Sequence, residues 1–235
     1  MNKFWSFKNK GEVGELYLYG EISDVTWWGD EVTPAAFKEE LDALGEIASL
    51  DIYINSGGGD VFAGQTINNI LKRHNAYKTV YVDGIAASIA SVIAMAGDKI
   101  VMPANSMMMI HKAWALWAGN SDELLKAAEI LEGVDKTILA EYVNKTGKEP
   151  DEIMEMMNAE TWMTGEEAVE NGFADELRES MKIAASIVDK TLIVNDLKVD
   201  ISNYKNLPLE QIEEQPKQTN LEVYEQIIDI HRRRN

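Results

Sequence analysis

Two side chains suited to acyl transfer follow predicted strands in this chain. Ser88 lies where a predicted strand gives way to a run of small residues, and His111 ends the apolar stretch 107–110. A serine at a strand-to-helix junction can expose its hydroxyl beside free backbone N–H groups. Considered singly, each is more often structural: a small serine packed in a helix, or a histidine hydrogen-bonded at a strand end.

A glycine-rich turn over residues 55–60, with the sequence NSGGGD, supplies a third component. Backbone N–H groups converge on an anion at such strand-to-helix turns. The turn lacks the Gly-Lys-Ser/Thr ending of a P-loop and the glycine spacing of a dinucleotide site, so nucleotide binding has little support. By itself, the sequence of this turn is explained equally well by a turn whose glycines need positive φ angles. With Ser88 and His111 it completes the nucleophile, base and oxyanion donors of acyl transfer.

The composition excludes several other classes of function. The 22 Lys and Arg against 40 Asp and Glu give a formal net charge of −18, which repels nucleic-acid phosphates and anionic lipid surfaces. The absence of cysteine excludes disulfides, thiolate metal sites and a cysteine nucleophile, and it fits a reducing cytoplasm. The histidines at 74, 111 and 231 have no partner at metal-ligand spacing, so we expect no metal or other cofactor.

Neither export nor membrane insertion is expected from the apolar segments. Residues 1–14 lack the continuous apolar stretch of a secretory signal. The longest uncharged run, 84–97, is shorter than the roughly 20 residues needed to cross a bilayer. We therefore interpret it as buried core and expect a cytoplasmic protein with no membrane partner.

The elements that must position these residues alternate between strand and helix. Predicted strands cover 16–22, 51–55, 79–82, 99–102 and 107–110, and predicted helices cover 34–47, 63–74 and 86–96. This alternation predicts an α/β fold built from parallel βαβ units with right-handed crossovers.

The second half of the chain is predicted to be helical and then to lose its pattern. Apolar residues at steps of three and four predict a long helix over 122–144, and shorter helices follow over 150–157 and 164–172. We divide the chain into an N-terminal segment, 1–14, a domain, 15–181, and an acidic, partly disordered tail, 182–235, that ends in an amphipathic helix.

Four motifs in order carry a family resemblance. They are YINSGGG at 53–59, GIAAS at 84–88, MIH at 109–111 and GEEAVENGFAD at 165–175. Together they resemble the Clp-type serine peptidase family (ClpP-like), from about Leu16 to Leu177. The resemblance implies a ClpP/crotonase-like fold with a projecting long helix, matched by residues 122–144. It also implies a homo-oligomer of stacked rings that enclose the active sites.

The resemblance assigns roles to individual residues. Ser88 matches the nucleophile, His111 the general base, and Glu160 stands where housekeeping members carry the acidic Asp. Asp175 is the alternative acid, although its match is to a structural position.

The oxyanion donors implied by the resemblance are the backbone N–H groups of Gly59 and Ile89, with Gly58 close enough to compete. Gly57 replaces a proline of the housekeeping members, which loosens the turn.

A narrower resemblance concerns residues 114–120, 160–163 and the extension after 182. These features are similar to the Clp-related head maturation proteases of tailed phages and prophages. They predict an endopeptidase that processes scaffold and capsid proteins in a host cytoplasm. The tail is then either a solvated extension or a tether that is clipped on activation.

Three other hypotheses stay open. The chain is alternatively an ATP-dependent Clp protease proteolytic subunit working with an unfoldase, or a catalytically idle ring or scaffold component of capsid assembly. An acyl-CoA hydratase of the same fold superfamily would share the glycine turn but would not need both Ser88 and His111.

Overall fold

The computed structural model describes residues 3–23, 33–179, 185–188, 191–194, 197–202 and 204–207. Within them, the first half of the chain contains β1 Trp5–Lys10, β2 Val13–Tyr19, α1 Pro34–Asp42, β3 Ser49–Ser56, α2 Val61–Arg73, β4 Tyr77–Ala87, α3 Ile89–Ala94, β5 Lys99–Pro103 and β6 Met107–Ile110. The second half contains α4 Ser121–Thr146, α5 Pro150–Asn158, β7 Thr161–Thr164, α6 Gly165–Glu170, β8 Glu176–Arg178, β9 Ala185–Val188, β10 Thr191–Val194 and β11 Leu197–Asp200. No helix among the described residues is both long enough and apolar enough to span a membrane.

The main sheet has the order β1-β2-β3-β4-β5-β8, and its neighbours from β2 to β8 run parallel. Helices connect the central strands, so the predicted α/β class of parallel βαβ units is confirmed. Strand β6 pairs parallel with the end of β4, and β7 pairs antiparallel with β6. Apolar residues of β3 and β4 such as Ile52, Ile54, Val80 and Val82 are fully buried, as expected for strands inside a parallel sheet.

Strand β4 is longer than predicted, and this places Ser88 at its end. The sequence predicted a helix from residue 86, whereas β4 continues to Ala87 and α3 begins only at Ile89. The reason is a change of partner: β5 pairs with the first half of β4, and β6 pairs with residues 85–87. The small side chains of this stretch therefore line a strand rather than a helix.

Helix α1 is shorter than its apolar pattern predicted. Thr33 caps its first turn through a hydrogen bond from the Ala36 N–H to the Thr33 hydroxyl (3.2 Å). The helix ends at Asp42 instead of continuing to residue 47. Gly45, with φ +73°, adopts the left-handed region just beyond this end, where a glycine stops a helix at little steric cost.

Helix α4 corresponds to the predicted long helix and extends it to 26 residues. A reciprocal cap between Asn120 and Glu123 starts it, and Gly147 ends it in the left-handed region. Only its second half buries large apolar side chains, Ile138 and Tyr142. In the first half Leu124, Leu125 and Ile130 are exposed.

The chain after residue 182 differs most from prediction. The sequence predicted weakly ordered segments there, but β9, β10 and β11 form a three-stranded antiparallel sheet. Leu192, Val194 and Val199 of this sheet pack on Ile85 and Met109 in a second apolar cluster. The predicted terminal helix at 221–230 lies outside the described residues.

Candidate active site

Ser88 occupies the sharp junction between β4 and α3. Its backbone has φ 55° and ψ −131°, a region that costs a non-glycine residue on the order of 1–3 kcal/mol. Hydrogen bonds on both sides hold it there: the Ser88 N–H donates to the Met109 carbonyl (3.0 Å), and the Ser88 carbonyl accepts from the Ser91 hydroxyl (2.6 Å). The strained turn is thus fixed by its surroundings and presents the Ser88 hydroxyl at the end of the strand.

The long helix α4 supports the turn at Ser88 through Tyr142. The hydroxyl of Tyr142, on α4, lies 2.8 Å from the Ser91 hydroxyl, and Tyr142 is completely buried. Helix α4 is therefore linked to the Ser88 carbonyl through two side-chain contacts.

His111 directly follows β6, which runs beside the end of β4, and so it faces the nucleophile candidate. Its Nε2 lies 2.8 Å from the Ser88 Oγ, within the range of a base that takes the hydroxyl proton. Burial lowers the pKa of His111, against the opposing effect of the negative charges of Glu160 and Asp135. The structure therefore brings together the two residues that sequence analysis proposed as nucleophile and base.

Asp135 fixes the chain immediately after His111 and was not found by sequence analysis. It is buried on α4, where one carboxylate oxygen accepts from the Ala113 N–H (2.8 Å) and the other pairs with Lys112 (3.2 Å). The sequence does contain a signal for Asp135: its spacing from Ile138 and Tyr142 places it on the same buried face of the helix. An acidic residue at a core-facing position indicates a buried polar partner.

The glycine turn lies against Ser88 with two free donors nearby. Ile22 holds the turn on both sides of Gly59: the Ile22 N–H donates to the Gly58 carbonyl (2.8 Å), and the Ile22 carbonyl accepts from Asp60 (2.7 Å). The Gly58 N–H is engaged by the Ser56 hydroxyl (3.2 Å). Among the described residues, the N–H groups of Gly59 and Ile89 have no acceptor. This arrangement favours these two donors over Gly58.

Glu160 lies close to His111 without being hydrogen-bonded to it. The buried Glu160 carboxylate accepts from the backbone N–H groups of Lys205 (2.7 Å) and Asn206 (3.0 Å) and from the Trp162 indole (3.2 Å). Within the described part of the chain, no Glu160–His111 ion pair within 4.0 Å is found. The structure therefore does not show a direct bond by which Glu160 would hold the imidazole ring, and the negative charge of Glu160 acts to raise the pKa of His111.

Asp175, the alternative acid, is engaged elsewhere. Its carboxylate accepts from the Ile100 N–H (2.7 Å) and pairs with Lys145 (2.6 Å). These bonds join β5 to the end of α4, so Asp175 has a structural place and does not contact His111.

A cleft of about 400 Å³ opens beside Ser88. Gly58 and Gly59 line it, and so do Val199 and Tyr204. The second pair comes from the part of the chain for which the sequence predicted little order. No local signal in the sequence marks these residues, because their role depends on a contact with a turn more than 100 residues away.

Comparison with known proteins identifies the family. The family model for Clp protease matches residues 37–181. The chain belongs to the Clp protease family. This Clp protease is therefore a serine-type peptidase, and the α/β architecture described above agrees with that membership.

Curated relatives carry the same family name. The ATP-dependent Clp protease proteolytic subunit of Deinococcus radiodurans is 33% identical over 141 residues, covering 58% of this chain and 68% of that protein. The corresponding subunit of Ligilactobacillus salivarius is 34% identical over 145 residues, covering 60% and 73%. The ATP-dependent Clp protease proteolytic subunit 2 of Tropheryma whipplei is 31% identical over 164 residues, covering 66% and 90%.

The described residues of this Clp protease contain no group of three or more His, Asp or Glu side chains that could hold a metal ion. The groups that the structure brings together at Ser88 are a hydroxyl, an imidazole and two backbone donors. These groups suffice for peptide-bond hydrolysis.

The lowered pKa of His111 predicts the pH below which activity is lost. A general base works only when it is neutral, so a lower pKa moves the acid limb of the kcat/KM profile below the ordinary value of about 6.5. Glu160→Gln removes a charge that raises this pKa, and the limb should move further toward low pH. Measurement of kcat/KM against pH for both proteins tests this.

Glu176→Gln provides the control for the pH profile, because Glu176 pairs with Lys99 on the β5–β8 edge. We expect it to leave the limb where the wild type has it. A limb at or above pH 6.5 in the wild type would contradict the lowered pKa of His111. A move of the limb to higher pH in Glu160→Gln would contradict the electrostatic role of Glu160.

Proposed function

We propose that this Clp protease is a proteolytic subunit that cuts unfolded polypeptides, works within a ring of its own copies and receives substrate from an ATP-driven unfoldase. The observation that carries the proposal is the 2.8 Å contact between Ser88 Oγ and His111 Nε2, beside the N–H groups of Gly59 and Ile89, which have no acceptor within the described ranges. Nucleophile, base and oxyanion donors meet there at one end of the cleft.

The proposed reaction uses these groups in sequence. Ser88 Oγ attacks the scissile carbonyl carbon while His111 Nε2 takes the hydroxyl proton. The negative oxygen that forms accepts hydrogen bonds from the Gly59 and Ile89 N–H groups, each such donor being worth about 3–4 kcal/mol. His111 then gives the proton to the leaving amine as the C–N bond breaks, which leaves an acyl-Ser88 ester.

Hydrolysis of the ester repeats the cycle with water as nucleophile. His111 takes a proton from the water, the oxygen attacks the ester carbon, and the proton returns to Ser88 Oγ as the acid product leaves. The nearby negative charge of Glu160 stabilises the imidazolium in both halves.

The proposed partners follow from the surface and from the relatives. Leu124, Leu125 and Ile130 of α4 and Leu116 of the preceding segment are exposed in the single chain, and such a patch suits contacts between copies. The relatives are named proteolytic subunits of ATP-dependent proteases. The sequence itself has no P-loop motif, so we assign unfolding to a separate ATPase.

Head maturation is the second candidate, supported by the sequence of 114–120 and the extension after 182. Its substrates would be scaffold and capsid proteins delivered by co-assembly. The names of the curated relatives favour the unfoldase-dependent subunit.

A labelling experiment tests the proposal. The wild type is incubated with a fluorophosphonate probe and, separately, with a chemically unfolded protein, and mass spectrometry follows both reactions. We expect one label, located on Ser88, and cleavage of the unfolded protein. Ser88→Ala should lose both, whereas Ser121→Ala, which removes an exposed hydroxyl at the start of α4, should keep both.

The substrate range separates the two candidates. Degradation of a folded protein only after addition of a Clp ATPase and ATP supports the proteolytic subunit. Cleavage confined to capsid or scaffold proteins without ATP would instead favour head maturation, and a label on a residue other than Ser88 would contradict the proposed nucleophile.

A further inference from the structure

The described residues 191–194, 197–202 and 204–207, here called the strap, lie on the catalytic elements. Leu192, Val194 and Val199 of the strap pack on Ala87 and Met109. Ala87 directly precedes Ser88, and the Met109 carbonyl accepts the Ser88 N–H (3.0 Å). The strap therefore covers the junction that presents the nucleophile.

The strap also holds the glycine turn. The Tyr204 hydroxyl donates to the Gly57 carbonyl (3.0 Å), and Val199 lies so close that a Cβ on Gly57 would be 2.5 Å from Val199 Cγ1. Buried Asn55, just before the turn, donates to the Val194 carbonyl (3.1 Å). A run of three glycines has high backbone freedom, so contacts of this kind decide where its N–H groups point.

A third set of strap contacts reaches the base and the acid. The Tyr204 ring meets the His111 ring edge-on, with centroids 6.0 Å apart, and meets the Trp162 ring at 5.5 Å. The next two residues donate their backbone N–H groups to Glu160. Burial raises the pKa of Tyr204 to about 12, so its hydroxyl remains a donor throughout the neutral range.

We propose that Tyr204 is a positioning residue: by holding the Gly57 carbonyl, its hydroxyl orients the peptide groups that follow, so that the Gly59 N–H faces the oxyanion formed at Ser88. This inference rests on the proposed peptidase function. It gives the strap a role in catalysis although no strap side chain takes part in proton transfer. Ile22 is hydrogen-bonded to the turn at Gly58 and Asp60, and Tyr204 is hydrogen-bonded to it at Gly57.

Tyr204→Phe isolates the hydroxyl, because the ring contacts with His111 and Trp162 remain. We expect kcat on a fluorogenic peptide to fall about tenfold, since misplaced catalytic groups cost turnover, while KM stays near the wild-type value. Hydrogen exchange of amides in the 57–60 turn should become about fivefold faster, since a local restraint is lost.

Tyr77→Phe is the matched control. Tyr77 is exposed at the start of β4, and its hydroxyl has no hydrogen-bond partner among the described residues. It should keep wild-type kcat, KM and turn exchange. A merely structural role of Tyr204 would instead lower thermal stability and leave kcat of the folded enzyme unchanged.

Either measurement can overturn the inference. An unchanged kcat in Tyr204→Phe, or wild-type exchange of the turn, shows that the hydroxyl does not position it, and a higher kcat shows that the strap restrains the enzyme. A wild type without Ser88-dependent hydrolysis would contradict the proposed function. Hydrogen exchange of the 57–60 turn would then still test whether the Tyr204 hydroxyl restrains Gly57.

Discussion

Ser88→Ala and His111→Ala are each expected to lower kcat/KM for a fluorogenic peptide by about 10⁴ or more, with the double variant no less active than either single variant. The reason is the hydrogen bond between the two side chains (2.8 Å). The hydroxyl is a weak nucleophile without the base, and the base has nothing to activate without the hydroxyl, so removing the second partner costs nothing further. Steady-state kinetics of all three variants measure this.

Two control variants distinguish loss of the Ser88–His111 pair from loss of the fold. His74→Ala removes an imidazole at the end of α2 and should retain wild-type kcat/KM. Ser91→Ala breaks the bonds to the Ser88 carbonyl and Tyr142, so it should lower thermal stability yet still react with a serine reagent. Additive losses in the Ser88→Ala/His111→Ala double variant would show that the residues act independently.

In the part of the chain that the structure describes, no carboxylate is hydrogen-bonded to the second ring nitrogen of His111, and other contacts hold its position. Its Nε2 is bound to Ser88, its ring is bordered by Tyr204, and Asp135 fixes the backbone two residues further on. The negative charge of Glu160 acts to raise the pKa of His111. Loss of the Glu160 charge should therefore cost less than loss of His111, as expected when the base keeps its geometry.

The sequence predicted the central fold well because its signals are local. Alternating strand and helix patterns identified the parallel sheet, and the small residues at 84–88 marked the junction that carries Ser88. The predicted start of the helix, residue 86, was wrong by three residues, since α3 begins at Ile89. Small residues suit a tight helix and a closely packed strand alike, and only the arrival of β6 beside residues 85–87 decides between them.

The strap and the surroundings of Glu160 could not be predicted in the same way. Each of the two strap strands, β10 and β11, has four residues, too few for a clear alternating pattern. Their importance comes from contacts such as the one between Asn55 and Val194, 139 positions apart. Gly57 is a sign of the strap contact that is visible in the sequence. It stands where the family resemblance expects proline, and a larger residue at this position would collide with Val199.

Gly59→Ala is expected to lower kcat by about 10²–10³, the usual cost of losing one oxyanion donor. Gly59 has φ +144°, a conformation that a side chain rarely adopts, and an added Cβ would overlap the carbonyl oxygen of Ile22. The Ile22 carbonyl is held by Asp60 (2.7 Å) and cannot move freely, so the turn must shift. The Gly59 N–H then no longer faces the oxygen attached to the carbon that Ser88 attacks.

Gly45→Ala is the matched control for this change. Gly45 also has a positive φ, +73°, but an added Cβ meets nothing within 4 Å. It should therefore cost stability through backbone strain, on the order of 1 kcal/mol, and leave kcat unchanged. Comparison of kcat for the two variants, each corrected for its folded fraction, separates backbone strain from loss of the oxyanion donor.

The reaction with a fluorophosphonate tests the Gly59 N–H independently of peptide turnover. Phosphonylation of Ser88 also develops negative charge on an oxygen in the same position, so Gly59→Ala should slow labelling by a factor similar to its loss in kcat. The Ser88–His111 contact joins the residues that directly follow β4 and β6, and no hydrogen bond from the turn to either side chain contributes to it among the described residues. Wild-type labelling and turnover by the folded variant would therefore show that the Gly59 N–H does not receive the oxyanion, and would leave Ile89 as the sole donor of the pair.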